Sequence, residues 1–274
     1  MPELPEVETI RRDLQQFILG KAISEIRVLD GRVIRGMASE EFIRTLRART
    51  ITGIARRGKA IVFSFREGGY LIAQVMMTGQ FIFSPLRTPA PVTKQTKIEF
   101  LFRDGSGMLY NDQRLFGRLF VVRDLNEVKF FRSIGPEPFA KAFSIDWLRA
   151  GLKKRQGPIK SLLMNQNFIA GIGNIYASEI LFRCGIRPQR RAGSLKKEEI
   201  KKLYRAIPKV LNEAIECRGT SMLTYRDASG NRGGFLNRIK VYGREEERCY
   251  RCRSLIRKIV QAGRSTFFCK VCQA

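Results

Sequence analysis

The 274-residue sequence contains no histidine. That excludes Ser-His-Asp and Cys-His catalysis, H-E-x-x-H metal sites and every zinc site that needs imidazole. Acid-base chemistry is left to carboxylates, amines or water. Long apolar runs are missing too. The longest, around Tyr70 to Met77, is interrupted by Gln74 and falls far short of the roughly 20 residues of a spanning helix. The N-terminus places Glu3, Glu6 and Glu8 where a secretory peptide carries positive charge ahead of an apolar stretch, so a cytoplasmic protein is expected. Acidic residues are scarce: 25 Asp and Glu stand against 51 Lys and Arg, a formal net charge of +26 on a chain that is 44% hydrophobic. Such a chain buries a real core, and its surface seeks polyanions, nucleic acid before membrane.

What is present divides along the chain. Val7, Ile10, Leu14, Phe17 and Ile18 recur at helical spacing behind Pro5 and stop at Gly20. Apolar residues then alternate: Ile23, Ile26 and Val28; Ile61, Phe63 and Phe65; Leu71 to Met77; Ile98, Phe100 and Phe102; Leu109; Leu119 to Val122. This predicts a β-sandwich or flattened barrel over roughly the first 130 residues. Gly135, Pro136 and Pro138 mark 133–139 as a linker. Helical spacing returns beyond it. Ser144 is positioned to cap one helix, Pro158 to Gln166 and Ile175 to Cys184 fit two more, and Ser194 precedes a long one in which Pro208 should cause a kink or a split. From Gly219 to Phe235 the chain has no periodicity and reads as a long functional loop. The expected domains are therefore 1–132, 140–238 and 239–274.

Cys249, Cys252, Cys269 and Cys272 follow a C-x2-C-x16-C-x2-C pattern. In a reducing compartment this is the spacing of a four-thiolate structural zinc site, one ion that folds a tail unable to bury a core alone. Arg251, Arg253, Arg257, Lys258 and Arg264 decorate it with cations suited to phosphate. At the other end, Met1 precedes Pro2, a residue that permits removal of the initiator. A processed Pro2 carries a secondary α-amine, more often unprotonated than a lysine and able to attack an electrophilic sugar carbon to give an iminium. The same residues also make an ordinary helix start.

Pro2-Glu-Leu-Pro-Glu-Val-Glu-Thr9, joined to the basic four-cysteine finger, resembles the bacterial formamidopyrimidine-DNA glycosylase family. The resemblance runs the length of the chain through Arg56-Arg-Gly-Lys59, Met77-Thr-Gly79, Asp112-Gln-Arg-Leu-Phe-Gly117, Gly135-Pro-Glu-Pro138, Ala170-Gly-Ile-Gly-Asn-Ile-Tyr-Ala177, Val241-Tyr-Gly-Arg244 and Gly263-Arg-Ser-Thr266. It implies an α+β protein: an N-terminal β-sandwich with a flanking helix, a helix-two-turn-helix domain with a lesion-capping loop, and the zinc finger. It further implies excision of oxidised purines (8-oxoguanine, formamidopyrimidines) from double-stranded DNA, followed by β,δ-elimination at the abasic site; a monomer at the nucleoid suits an enzyme that scans duplex DNA.

By the same resemblance, Pro2 is the nucleophile, Glu3 the proton shuttle, Lys59 a base-recognition and proton-donating residue, and Arg264 a phosphate contact active in δ-elimination. Met77, Arg114 and Phe116 map onto a wedge that fills the gap left by an extruded base, although strand spacing alone suits Met77 and Phe116 as core. Asn174, at the Gly171-Ile-Gly-Asn174 turn, should grip phosphate with backbone N–H groups at a helix N-terminus. Lys160 and Arg155 align with cations that face DNA. Gln74, Gln95 and Lys97 replace family histidines; amides and amines still donate to phosphate. Two other readings are an endonuclease VIII-like enzyme for oxidised pyrimidines, against which Arg114, Phe116 and the Leu4-Pro5-Glu6-Val7 opening speak, and a non-catalytic zinc-containing nucleic-acid binder.

Overall fold

The computed structural model describes residues 1–85 and 90–274, which form two compact units: residues 1–132 with 217–234, and residues 133–216 with 235–274.

The first unit begins with α1 (Leu4–Ile18), started by a capping box in which Glu3 and Glu6 exchange backbone N–H bonds and Pro5 sits in the first turn. Its inner stripe, Val7, Ile10, Leu14 and Ile18, is fully buried. Each such side chain contributes about 1.5–3 kcal/mol, and Leu14→Ala at this depth costs about 2–5 kcal/mol. Then follow β1 (Ile23–Val28), β2 (Ile34–Arg35), α2 (Ser39–Leu46), β3 (Ile51–Arg57), β4 (Ala60–Phe65), β5 (Tyr70–Gln74), β6 (Gly79–Ser84), β7 (Thr96–Phe102), β8 (Gly107–Asp112) and β9 (Arg118–Val122). A four-stranded sheet is ordered β1-β7-β8-β6 and a five-stranded one β2-β9-β5-β4-β3. All pairings are antiparallel except β2 with β9. One core draws on α1 and both sheets, through residues such as Ile26, Phe81 and Phe100 from one sheet and Ile54, Ile61 and Phe63 from the other. This is the expected sandwich with its flanking helix. A smaller cluster of Ala60, Val62, Ile72 and Val128 covers the other face of the larger sheet.

Residues 217–234, expected with the helical domain, pack in the first unit. Arg218 donates to Asp13 at 2.6 Å and to Asp227 at 2.7 and 2.9 Å, and Asp13 also accepts the Ala228 N–H at 3.2 Å. Tyr225 and Ala228 enter the core itself. The absence of periodicity here reflects a loop held by ion pairs and single buried side chains.

The 1–132 stretch of the first unit closes in α3 (Lys129–Ser133), a short turn of helix. The second unit contains α4 (Ile145–Lys153), α5 (Ile159–Met164), α6 (Asn174–Cys184), α7 (Lys197–Glu216) and the hairpin β10 (Ile256–Gln261) with β11 (Arg264–Cys269). Ser144 caps α4 by accepting the Trp147 N–H at 3.1 Å, as expected. Three expectations are revised by the local structure. The segment 133–139 is no free linker, because the Gly135 N–H bonds the Gln166 carbonyl and the Pro136 carbonyl accepts the Ala170 N–H. Ser194 does not cap the long helix, whose start is held by Glu199 accepting the Lys196 N–H at 2.7 Å. Nor is α7 split at Pro208; it runs unbroken, and Ile200, Leu203, Ile207, Val210 and Leu211 on its buried face offset the one backbone bond proline removes. Among the described residues no helix is long and apolar enough to cross a membrane.

Candidate active site and nucleic-acid interface

The N-terminal end of α1 gathers the proposed nucleophile. Pro2 is buried, and Glu3 and Glu6 are 3% and 2% exposed. One oxygen of Glu6 accepts the Glu3 N–H at 2.8 Å, and the other accepts the Thr220 N–H at 2.7 Å. A single carboxylate thus joins the chain terminus to the 217–234 loop. The approach is close enough that Gly219, at φ +80°, has no room for a side chain: a Cβ there would stand 2.9 Å from Glu6. Burial and the nearby Glu6 charge push the Tyr225 phenol well above its usual range, so it stays neutral.

Lys59 occupies the two-residue turn Gly58-Lys59 between β3 and β4, closed by the Arg57–Ala60 pair. Gly58 takes φ +59° at the first central position, the conformation such a hairpin asks of glycine. Arg56 fixes this turn, donating to the Gly58 carbonyl at 3.0 Å and to Glu8 on α1 at 3.1 Å. Burial pushes the Glu8 carboxyl up, but hydrogen bonds from Arg11 and Arg12 and the charge of Arg56 hold it below its ordinary value.

Met77, Arg114 and Phe116 converge. Met77 is 38% and Phe116 44% exposed, large apolar groups facing water and not core. The Arg114 guanidinium lies 4.7 Å from the centre of the Phe116 ring, and its Nη1 is 3.7 Å from the Met77 sulfur. Thr224 of the long loop donates to the Met77 carbonyl at 3.2 Å. Gln74, at the end of β5, lies in a shallow cavity with Arg35, Arg118 and Lys129, three cations that sequence spacing did not single out. Gln95 is exposed just before β7, its carbonyl tied to the Asp112 N–H at 2.8 Å.

In the second unit Asn174 opens α6. Its side chain donates to the Ser265 carbonyl at 2.9 Å and to the Tyr242 hydroxyl at 3.4 Å. Lys160 is not on the surface. It is 1% exposed, and Nζ donates to Asn174 Oδ1 at 2.6 Å, Thr266 Oγ1 at 2.7 Å and the Ser265 carbonyl at 3.3 Å. An exposed cation was expected; instead its charge is spent on ordering the residues beside Arg264. Arg264 itself is exposed where Ala262 and Gly263, at φ +48° and +70°, turn β10 into β11. Arg155 is exposed after α4, outside that cluster.

Residues 1–119 match the family described as formamidopyrimidine-DNA glycosylase N-terminal domain, residues 134–226 its H2TH domain, and residues 246–274 the zinc finger found in FPG and IleRS. The chain is 44% identical over 275 residues to the formamidopyrimidine-DNA glycosylase of Desulfitobacterium hafniense, covering 100% of both. The chain belongs to the formamidopyrimidine-DNA glycosylase family. Among solved structures, MutM (Fpg) from Thermus thermophilus superposes with a TM-score of 0.88 at 39% identity, covering 99% of this chain and 98% of that one. Lactococcus lactis Fpg in complex with DNA containing an abasic site gives 0.91 at 35% identity, covering 99% of each.

The family's zinc finger has its ligands here. The sulfurs of Cys249, Cys252, Cys269 and Cys272 all lie within 4.8 Å of one another, with Cys249–Cys272 at 3.9 Å and Cys252–Cys269 at 3.4 Å. Zn–S bonds of about 2.3 Å in a tetrahedron put sulfurs roughly 3.8 Å apart, so the set fits one structural zinc ion. The Arg251 and Cys272 N–H groups each point at a cysteine sulfur at 3.4 Å, support typical of such knuckles. Buried Gln273 ties the second knuckle to the end of α6 through the Ile186 carbonyl at 2.8 Å. Sequence reasoning assigned no role to Glu6, Glu179 or Tyr242. The Glu3-x-x-Glu6 capping spacing was a signal for the first. Glu179, which accepts N–H bonds from Lys240, Val241 and Tyr242 at 2.8–3.0 Å, shows its purpose only in the fold.

Proposed function

We propose that this protein is a bifunctional base-excision repair enzyme: a DNA glycosylase for oxidised purines, 8-oxoguanine and formamidopyrimidines, and an abasic-site lyase acting by β,δ-elimination, working as a monomer at the nucleoid. The observation that carries this reading is the seat of Pro2 and Glu3 at the start of α1, closed by the Glu6 carboxylate. An α-amine placed there, once the Met1–Pro2 amide is hydrolysed, is more often unprotonated near neutral pH than a lysine side chain.

Pro2 nitrogen attacks C1′, passing its N–H proton to the Glu3 carboxylate, and the damaged base leaves with the glycosidic bond's electron pair and takes up a proton from water. Glu3 then delivers a proton to the ring oxygen as the sugar opens to the iminium. The iminium acidifies C2′, whose proton departs as the 3′ phosphate is expelled; loss of the 5′ phosphate follows. Lys59, on its braced turn, is the donor nearest in kind to this chemistry, and Arg264 neutralises departing phosphate. Met77, Arg114 and Phe116 fill the space of the extruded nucleotide. Gln74, Gln95, Arg155 and Asn174 hold the backbone, while Lys160 acts through Asn174. The zinc ion, bound by the four cysteines, keeps the Arg264 hairpin rigid.

Borohydride trapping tests this directly. Processed protein should form a covalent adduct with abasic duplex DNA, and Pro2→Gly or a retained Met1 should abolish or severely weaken it. Incision by the processed enzyme without a trappable adduct would overturn the mechanism, and excision of thymine glycol but not 8-oxoguanine would transfer the chain to the pyrimidine branch.

A further inference from the structure

Asp112 has no exposed surface, yet no step above uses it. It ends β8 opposite Gly79, the first residue of β6, so the turns at 76–78 and 113–117 leave the sheet from one point. Its Oδ1 accepts the Thr78 hydroxyl proton and the Arg114 N–H at 3.2 Å, and its Oδ2 accepts the Gly117 N–H at 2.7 Å. The Thr78 oxygen in turn accepts the same Arg114 N–H at 3.0 Å. One carboxylate and one hydroxyl therefore hold the turn carrying Met77 to both ends of the turn carrying Arg114 and Phe116.

Each turn also contains a non-glycine residue in the left-handed region, Met76 at φ +51° and Leu115 at φ +58°. Such conformations persist where the surroundings over-determine them. Gly117 is part of that constraint: a Cβ on it would fall 2.8 Å from Asp112 and 1.8 Å from the Tyr110 hydroxyl, a buried group with no hydrogen-bond partner among the described residues. A carboxylate serving only the core would need no link to Thr78. Here the link joins two exposed turns whose tips already touch.

We infer that Asp112 is a positioning residue that clips the two turns into one preformed wedge, with the Thr78 hydroxyl as the bridge. This rests on the reading of Met77, Arg114 and Phe116 as the wedge. Preforming the wedge spares the ordering of three long side chains when a nucleotide is extruded from duplex DNA. It has no part in cleavage of an abasic site that is already unpaired.

Thr78→Val keeps the shape of the side chain and deletes the bridge, which avoids replacing a buried carboxylate. It should lower kcat/KM for 8-oxoguanine excision from duplex DNA about tenfold and leave strand cleavage of a single-stranded abasic oligonucleotide unchanged; Thr78→Ser should restore the duplex rate. On a Phe116→Ala background the Thr78→Val effect should shrink to less than twofold. Equal losses on both substrates, no loss on either, failure of Thr78→Ser to rescue, or a full additional tenfold loss on the Phe116→Ala background would each overturn the clip. Phe116→Ala alone reports on the wedge reading: unchanged duplex excision by that variant removes the wedge itself, and the clip's function with it.

Discussion

Replacing Lys160 with methionine separates a buried organiser from a phosphate contact. The ammonium makes three hydrogen bonds, to Asn174, Thr266 and the Ser265 carbonyl, from a site 1% exposed. Charge-assisted bonds are each worth about 1.5–3 kcal/mol, and leaving Asn174 Oδ1 and Thr266 Oγ1 without this donor adds a desolvation cost. Against this, methionine removes the expense of burying an ammonium. A net loss of about 2–3 kcal/mol is expected, or roughly 5–10 °C in Tm at about 2–4 °C per kcal/mol. Thermal melts of zinc-loaded Pro2→Gly protein, with and without Lys160→Met, give the first number. The second comes from Kd for abasic duplex measured over a range of salt. A lost phosphate contact reduces the slope of log K against log salt by about 0.9, whereas a lost organiser weakens binding with the slope kept. An unchanged Tm together with a slope reduced by about one would refute the placement argued here and return Lys160 to the DNA surface.

Removing zinc from the four cysteines with a tight chelator should release one equivalent of metal and collapse the β10–β11 hairpin. Far-UV circular dichroism and loss of duplex binding report the collapse, while the α1 core should still melt cooperatively. The Arg32 hydrogen bonds beside Asp30 hold its carboxyl at about 2 against an ordinary 3.8, burial opposing them. A depressed pKa adds stability above the unfolded value that is lost as pH falls from about 4 towards 2. Asp30→Asn should therefore lose less than about 1 kcal/mol at pH 7, a surface-pair amount, and match the parent at pH 2 in urea melts.

Legibility followed the range of the forces involved. The period-two strands β1, β4, β5, β7, β8 and β9 and the stripe of α1 were plain because each buries one face against a common core. Strand β3, interrupted by Gly53, and the short α2 carried few apolar positions, and β6 sets Phe81, Ile82 and Phe83 side by side without alternation. The cysteine ligands were legible because metal chemistry fixes their local spacing. Contacts between distant segments were not. Nothing near Arg218 announces that it meets Asp13, 205 positions away, and nothing in a protein with 51 cations marks Lys160 as turned inward. The packing of the 217–234 loop in the first unit was not legible for that reason. The wedge was read from resemblance, and only the fold supplies Asp112 and Thr78, the groups that join its two turns.

The missing histidines make one further experiment unusually clean. Between pH 6 and 9 a histidine-rich phosphate grip would itself titrate, and binding and chemistry would be confounded. Here the residues at those positions are Gln74, Gln95 and Lys97, and the two amides do not titrate. The Pro2 amine does, as an α-amino group whose ordinary pKa is about 7.7–8.0. Buried Glu179 is the other group to consider: burial pushes its carboxyl up, while three N–H donors pull it back. It holds residues 240–242 and so acts on binding. Abasic-duplex affinity of Pro2→Gly protein isolates that contribution, and a flat Kd from pH 6 to 9 removes it. The single-turnover rate of the processed enzyme should then rise with unit slope on a logarithmic scale and level off near pH 8. A rate that stays level from pH 6 upward while affinity is also constant leaves no role for a free amine as nucleophile.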